Sequence, residues 1–137
     1  MNFRRATFED GVFILRLARE FFHKSWGKGY DIPFDPESAM QTIDALIENG
    51  IMLVGPTSYA GAILTPCMWN HEFTIATVIT WYFESPREIR IFDALMEECR
   101  KAGATHFVSA SNEGSPIGRY YNRKGLTIRE SAYMCQL

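Results

Sequence analysis

The chain has 137 residues, 47% of them hydrophobic and 22% charged, which is enough apolar material for one compact domain over residues 1–137. Its 14 Lys and Arg stand against 16 Asp and Glu, a formal net charge of −2, so no broad basic field favours nucleic acid or an anionic membrane surface. Cys67, Cys99 and Cys135 lie far apart with no CxxC pair, which indicates neither a disulfide framework nor a zinc site and points to a reducing compartment.

The N-terminus runs into Arg4, Arg5, Glu9 and Asp10 rather than an apolar leader, and no run of about 20 apolar residues occurs, so a cytoplasmic, soluble chain is expected. Residues 2–6 read as a short strand. Thr7, Phe8, Glu9 and Asp10 form a capping box that opens a helix, with Ile14, Leu17, Ala18 and Phe21 on its buried stripe. A loop over 25–33 follows. Asp35 and Pro36 start a second helix, buried through Met40, Ile43 and Ile47 and ended by Gly50. Strands are predicted over 51–54 and 59–65, joined by the turn at 55–58. A connection over 66–72 leads to a long aromatic and β-branched strand over 73–83.

This strand runs straight into a helix start. Ser85 reads as the N-cap, Pro86 as the first helical residue and Glu88 as the partner that completes a second capping box. That helix extends over 86–102, with Ile89, Phe92, Met96 and Cys99 on one face and Gly103 as its stop. A strand over 105–110, a short helix from Ser115 through Tyr120 and Tyr121 to Gly125, and a last strand over 131–136 complete the chain. The resulting order is β-α-α-β-β-β-α-β-α-β, an α/β (α+β) fold with a mixed, mostly antiparallel twisted sheet and helices on both faces.

That order, the opening Arg5-Ala6-Thr7-Phe8-Glu9-Asp10 and the segment Tyr121-Asn122-Arg123-Lys124-Gly125-Leu126 resemble the GCN5-related N-acetyltransferase superfamily over the whole chain. Small phage-encoded members are the nearest likeness, which implies the host cytoplasm, with virion association as an alternative. The resemblance implies an acetyl group passed from acetyl-CoA to a small-molecule or protein amine, with no metal. Tyr121 stands where the family's general-acid tyrosine often stands. The other reading of Tyr121 is packing of a short helix against the sheet.

The family holds the acetyl-CoA pyrophosphate on backbone amides of a Q/R-x-x-G-x-G/A turn after its fourth strand. Here Arg87 takes the first position, while Arg90 and Phe92 replace the small residues, where a side chain obstructs close approach of phosphate. Trp81, Tyr82 and Phe83 are the strand residues whose backbone would polarise the thioester, and Arg87 and Arg90 supply positive charge at the turn. Relatives often carry a basic Glu on this strand. Residues 75–81 have no ionisable side chain, and His71 and Glu72 are the nearest candidates for a base. Cys99 reads as core, and Cys67 and Cys135 have no base nearby in sequence. Trp69, in a loop beside Met68, is expected to be partly exposed. The alternative function is a catalytically inactive protein of this fold, acting as a protein-binding or virion-associated module. Oligomeric state is left open.

Overall fold

The computed structural model describes residues 2–27, 29, 31–111 and 115–137. In chain order its elements are β1 (Arg4–Arg5), α1 (Gly11–Phe21), α2 (Pro36–Asn49), β2 (Ile51–Gly55), β3 (Ser58–Cys67), β4 (Asn70–Phe83), α3 (Ile91–Lys101), β5 (His106–Val108) and α4 (Pro116–Arg123). The sheet follows chain order from β1 to β5. Every pairing is antiparallel except β4 with β5, which are parallel and joined by the α3 crossover. The fold class expected from the sequence is the one observed.

Strand β2 shows why helices cover both faces. Ile51 and Leu53 point into a core with α3 and α4, built on Ile91, Phe92, Leu95, Cys99 and Ile117. Met52 and Val54 point into the opposite core with Ile14 and Leu17 of α1 and Ile43 and Leu46 of α2. Successive residues of a strand face opposite sides, so a run of four apolar residues requires cover on both. Ile14, Leu17 and Phe92 are fully buried as expected, whereas Phe21 and Met96 are half-buried.

Several boundaries differ from expectation. The first helix continues through a π-turn at Phe22–Trp26, closed by the Gly27 N–H on the Phe22 carbonyl at 2.7 Å, so helical structure enters the segment predicted as loop. Residues 28 and 30 of that loop lie outside the described residues. The β3–β4 hairpin is longer than predicted, with Met68 and Trp69 at its tip. Trp69 is 87% exposed. The predicted strand over 105–110 shortens to β5, and the strand expected over 131–136 is not formed: residues 127–137 are exposed and without regular structure.

The helix after β4 begins as a 3₁₀ turn, Pro86–Arg90, and becomes α-helical only at Ile91. That tighter turn rotates the buried stripe, which falls on Ile91, Phe92, Leu95 and Cys99 rather than on Ile89 and Met96.

Candidate functional site

The site is set by where two strands part. Pairing of β4 with β5 covers only Ile75↔His106, Ala76↔Phe107 and Thr77↔Val108. Strand β4 continues to Phe83, held there by β3 through Phe83↔Ser58. Among the described residues, 78–83 therefore have a strand on one side only, and this unpaired edge past the end of β5 is the β4–β5 opening.

A β-bulge aims the side chains at this opening. Gly61 pairs with Thr80 but Ala62 with Val78, so Ile79 is an extra residue. Before the bulge, Ala76 and Val78 face α3 and α4; after it, Trp81 and Phe83 do, while Tyr82 joins the core of α1 and α2. Trp81 stacks on Phe83 with centroids 5.7 Å apart, meets Phe92 edge-on at 5.6 Å, and contacts Phe21 of α1 at 5.5 Å. Phe92 meets Tyr121 at 5.5 Å. A chain of rings thus lines the route from α1 to α4.

Tyr121 is tied to the chain just past β5. Gly125, at φ 88°, turns the chain after α4, and the Leu126 N–H returns to the Tyr121 carbonyl at 3.0 Å. The Tyr121 hydroxyl lies 2.5 Å from the Ser109 hydroxyl, just past β5. Burial pushes this phenol up to about 12, against the Ser109 hydrogen bond. It remains protonated at neutral pH and can donate a hydrogen bond. Tyr120 is also buried, and its hydroxyl has no hydrogen-bond partner among the described residues. Burial and the neighbouring Asp93 carboxylate raise its phenol further.

The turn after β4 departs from the capping box expected there. Ser85 makes no side-chain cap bond; the Glu88 N–H instead reaches the Ser85 carbonyl at 2.9 Å. The Glu88 carboxylate swings away to the β2–β3 turn. It accepts from the Thr57 N–H at 2.9 Å, from the Ser58 hydroxyl at 2.6 Å and from the Thr57 hydroxyl. Glu88 is only 2% exposed. Burial alone would raise its carboxyl, but the bonds from Ser58 and Thr57 outweigh burial and hold it below the usual carboxylate range. The Glu84 N–H completes the tie on the Thr57 carbonyl at 3.0 Å. Gly55 makes room for it, since a Cβ there would lie 2.7 Å from Glu88 Oε1.

The other residues singled out from sequence are scattered differently. Tyr82 accepts from the Lys24 ammonium at 3.1 Å, on the α1 side. Arg87 and Arg90 are exposed on the turn. A groove of about 510 Å³ runs beside it, lined by Ile89, Pro116, Arg119, Asn122 and Arg123. His71 and Glu72 sit at the hairpin end of β4, beside Met68 and Trp69. His71 is ten residues from Trp81, roughly 33 Å along a strand, so the structure does not bring it to Tyr121. Sequence reasoning missed Thr57, Ser58 and Ser109, whose roles depend on contacts 12 to 31 residues away in the chain. No group of three or more metal-ligating side chains occurs among the described residues, nor does a helix long and apolar enough to cross a membrane.

No protein-family model matches the sequence, and no curated protein matches it. Solved structures do. A probable acetyltransferase superimposes with a TM-score of 0.77 at 11% identity, over 100% of this chain and 98% of that one. A transcriptional regulator from Bacillus halodurans C-125 gives 0.76 at 14% identity, covering 99% of each chain. An acetyltransferase from Trypanosoma brucei gives 0.68 at 17%, again over 99% of each. The chain has the GCN5-related N-acetyltransferase fold. Identities this low establish the fold alone, and one of these three structures carries a regulator's name.

Acetyl-CoA, which the fold implies, meets two different environments here. At the thioester end, the parted strands and the Tyr121 hydroxyl fit it. At the diphosphate end the fit fails: Pro86 has no N–H, the Glu84 and Glu88 N–H groups are engaged, and the buried Glu88 carboxylate lies behind the turn.

Proposed function

We propose that this chain is an N-acyltransferase that carries an acyl group from a thioester to a small-molecule or protein amine at the β4–β5 opening. What supports this reading is the Tyr121 hydroxyl, held by Ser109 just past β5, together with the edge of β4 that is left unpaired beyond Thr77. A thioester laid against residues 78–83 meets backbone N–H donors on one side, which polarise its carbonyl, and a phenol on the other.

The balance of the reaction is simple. The amine nitrogen forms a C–N bond, the C–S bond breaks, the sulfur leaves as a thiolate that takes its proton from water, and the amine gives one proton up. Tyr121 stabilises the departing sulfur by donating a hydrogen bond. Its phenol, at about 12, lies roughly three units above an ordinary alkyl thiol, so donation while the bond breaks is favoured over complete transfer. The amine's proton goes to water, because the carboxylates near the end of β4 already hold cations: Glu84 pairs with Arg16 at 2.8 Å and Glu20 with Lys24 at 3.1 Å. Positioning of the two reactants supplies most of the acceleration.

Tyr121→Phe tests this reading. Turnover of an acetyl thioester with a panel of amines is expected to fall at least about tenfold with thioester affinity unchanged, since the hydroxyl acts on the transition state. Unchanged turnover would remove the hydrogen-bonding role of Tyr121. A second reading, a non-catalytic protein-binding module, is favoured by the exposed Met68 and Trp69 at the hairpin tip. It requires that no thioester bind, which calorimetry on the same protein decides.

A further inference from the structure

The turn after β4 is more than a weakened anion site, because it is built shut by contacts that have nothing to do with a ligand. Three elements meet there: the β2–β3 turn, the end of β4 and the start of α3. Glu88 lies at their centre with three donors on its carboxylate, two from Thr57 and one from Ser58. Glu84 binds the Thr57 carbonyl, so the two turns are joined on both backbone and side chain. The Ile91 N–H, where α3 becomes a true helix, is also used, by the Glu88 and Ile89 carbonyls.

Two independent features therefore oppose a diphosphate here. Of the donors that would greet an anion at an open helix start, the Glu84 and Glu88 N–H groups are occupied and Pro86 has none. A fully buried negative charge also sits behind the turn, unneutralised by any ion pair among the described residues. Arg87 and Arg90 on the turn, and Arg119 and Arg123 lining the groove beside it, are all exposed, so their attraction for phosphate is screened by salt. By contrast, the thioester end of the site, from Trp81 to Tyr121, requires no phosphate contact.

Building on the acyltransferase reading, we infer that this chain takes acyl donors by their thioester arm alone: short, pantetheine-like thioesters are its donor class, and a nucleotide diphosphate adds no affinity. Specificity then resides in the aromatic lining and the open strand edge rather than in the turn after β4.

Calorimetric titration of the full chain with acetyl-pantetheine and with acetyl-CoA, at about 50 and about 500 mM salt, tests this. The expected result is two dissociation constants within about threefold of each other at both salt concentrations. Acetyl-CoA binding more than about tenfold tighter, an advantage of about 1.4 kcal/mol, would overturn the inference while leaving acyl transfer standing. If that advantage vanished at high salt, the exposed arginines would be its source. If neither thioester binds, the inference falls together with the acyltransferase reading.

Discussion

Two segments of this chain carry the same local pattern and resolve it in opposite ways. At Thr7-Phe8-Glu9-Asp10 the box closes on itself: the Asp10 carboxylate accepts from the Thr7 N–H at 2.8 Å, and the Asp10 N–H returns to the Thr7 carbonyl at 2.9 Å. At Ser85-Pro86-Arg87-Glu88 the backbone half forms, but the carboxylate leaves for Thr57 and Ser58. The difference lies in what each carboxylate can reach. Asp10 is short, and its additional partners are the Thr7 hydroxyl and Arg4, the latter at 2.8 Å from both oxygens. Glu88 is longer and lies under a hairpin turn with two hydroxyls and a free N–H, and three donors outcompete one. A capping signature therefore states which groups are available, and tertiary neighbours decide which are used.

The contrast can be broken most severely at Glu88. Glu88→Leu removes the acceptor from a buried cluster and leaves the Ser58 hydroxyl, itself fully buried, without its bond. The expected loss is about 3 kcal/mol in denaturant unfolding. Acid should reveal the same group. Glu88 lies below the usual carboxylate range in the folded protein and Asp10 lies at about 2, both depressed relative to unfolded values near ~4. Their stabilisation is therefore complete above about pH 4 and is lost as pH falls through the folded values. Glu88→Leu should flatten part of that acid-induced fall, and an unchanged acid profile would show that Glu88 does not carry it.

Asp10→Ala is expected to cost less, about 1 kcal/mol, because the box and the Arg4 pair are near the surface and water replaces what is lost. The Arg4 guanidinium is the main cause of the low Asp10 value, so Arg4→Ala should raise that value toward normal, as read by NMR titration. The smallest effect belongs to Ser85→Ala. Its side chain makes no cap bond, so the expected change is under about 0.5 kcal/mol. A loss near 1 kcal/mol would mean that the Ser85 hydroxyl caps the turn after all.

Much of the architecture was readable from periodicity. The i, i+3, i+4, i+7 spacing of Ile14, Leu17, Ala18 and Phe21 located α1, the apolar run from Ile51 to Val54 marked a strand, and the order of elements implied helices on both faces of the sheet. Tyr121 and the glycine that ends its helix were readable as a unit, since the turn at Gly125 closes on Tyr121 through Leu126, only five residues away. His71 shows where spacing along the chain misleads. It is near Trp81 in order but at the opposite end of an extended strand, and extension converts ten residues into a long distance. The last predicted strand has a suitable sequence but no pairing partner within the described chain, and a strand cannot form without one.

What the sequence determined by itself is what local physics governs: the helix starts at Thr7 and Pro116, the positive-φ glycines at 103 and 125, the order of elements and the alternation that buries β2. What only the tertiary structure decided is where β4 changes face and where Glu88 goes. Both depend on neighbours distant in sequence. The extra residue at Ile79 is defined only against the register of β3, and it is this one-residue shift that turns Trp81 toward Phe92 of α3. The Glu88 carboxylate is committed by hydroxyls 30 and 31 residues earlier, which no local window contains.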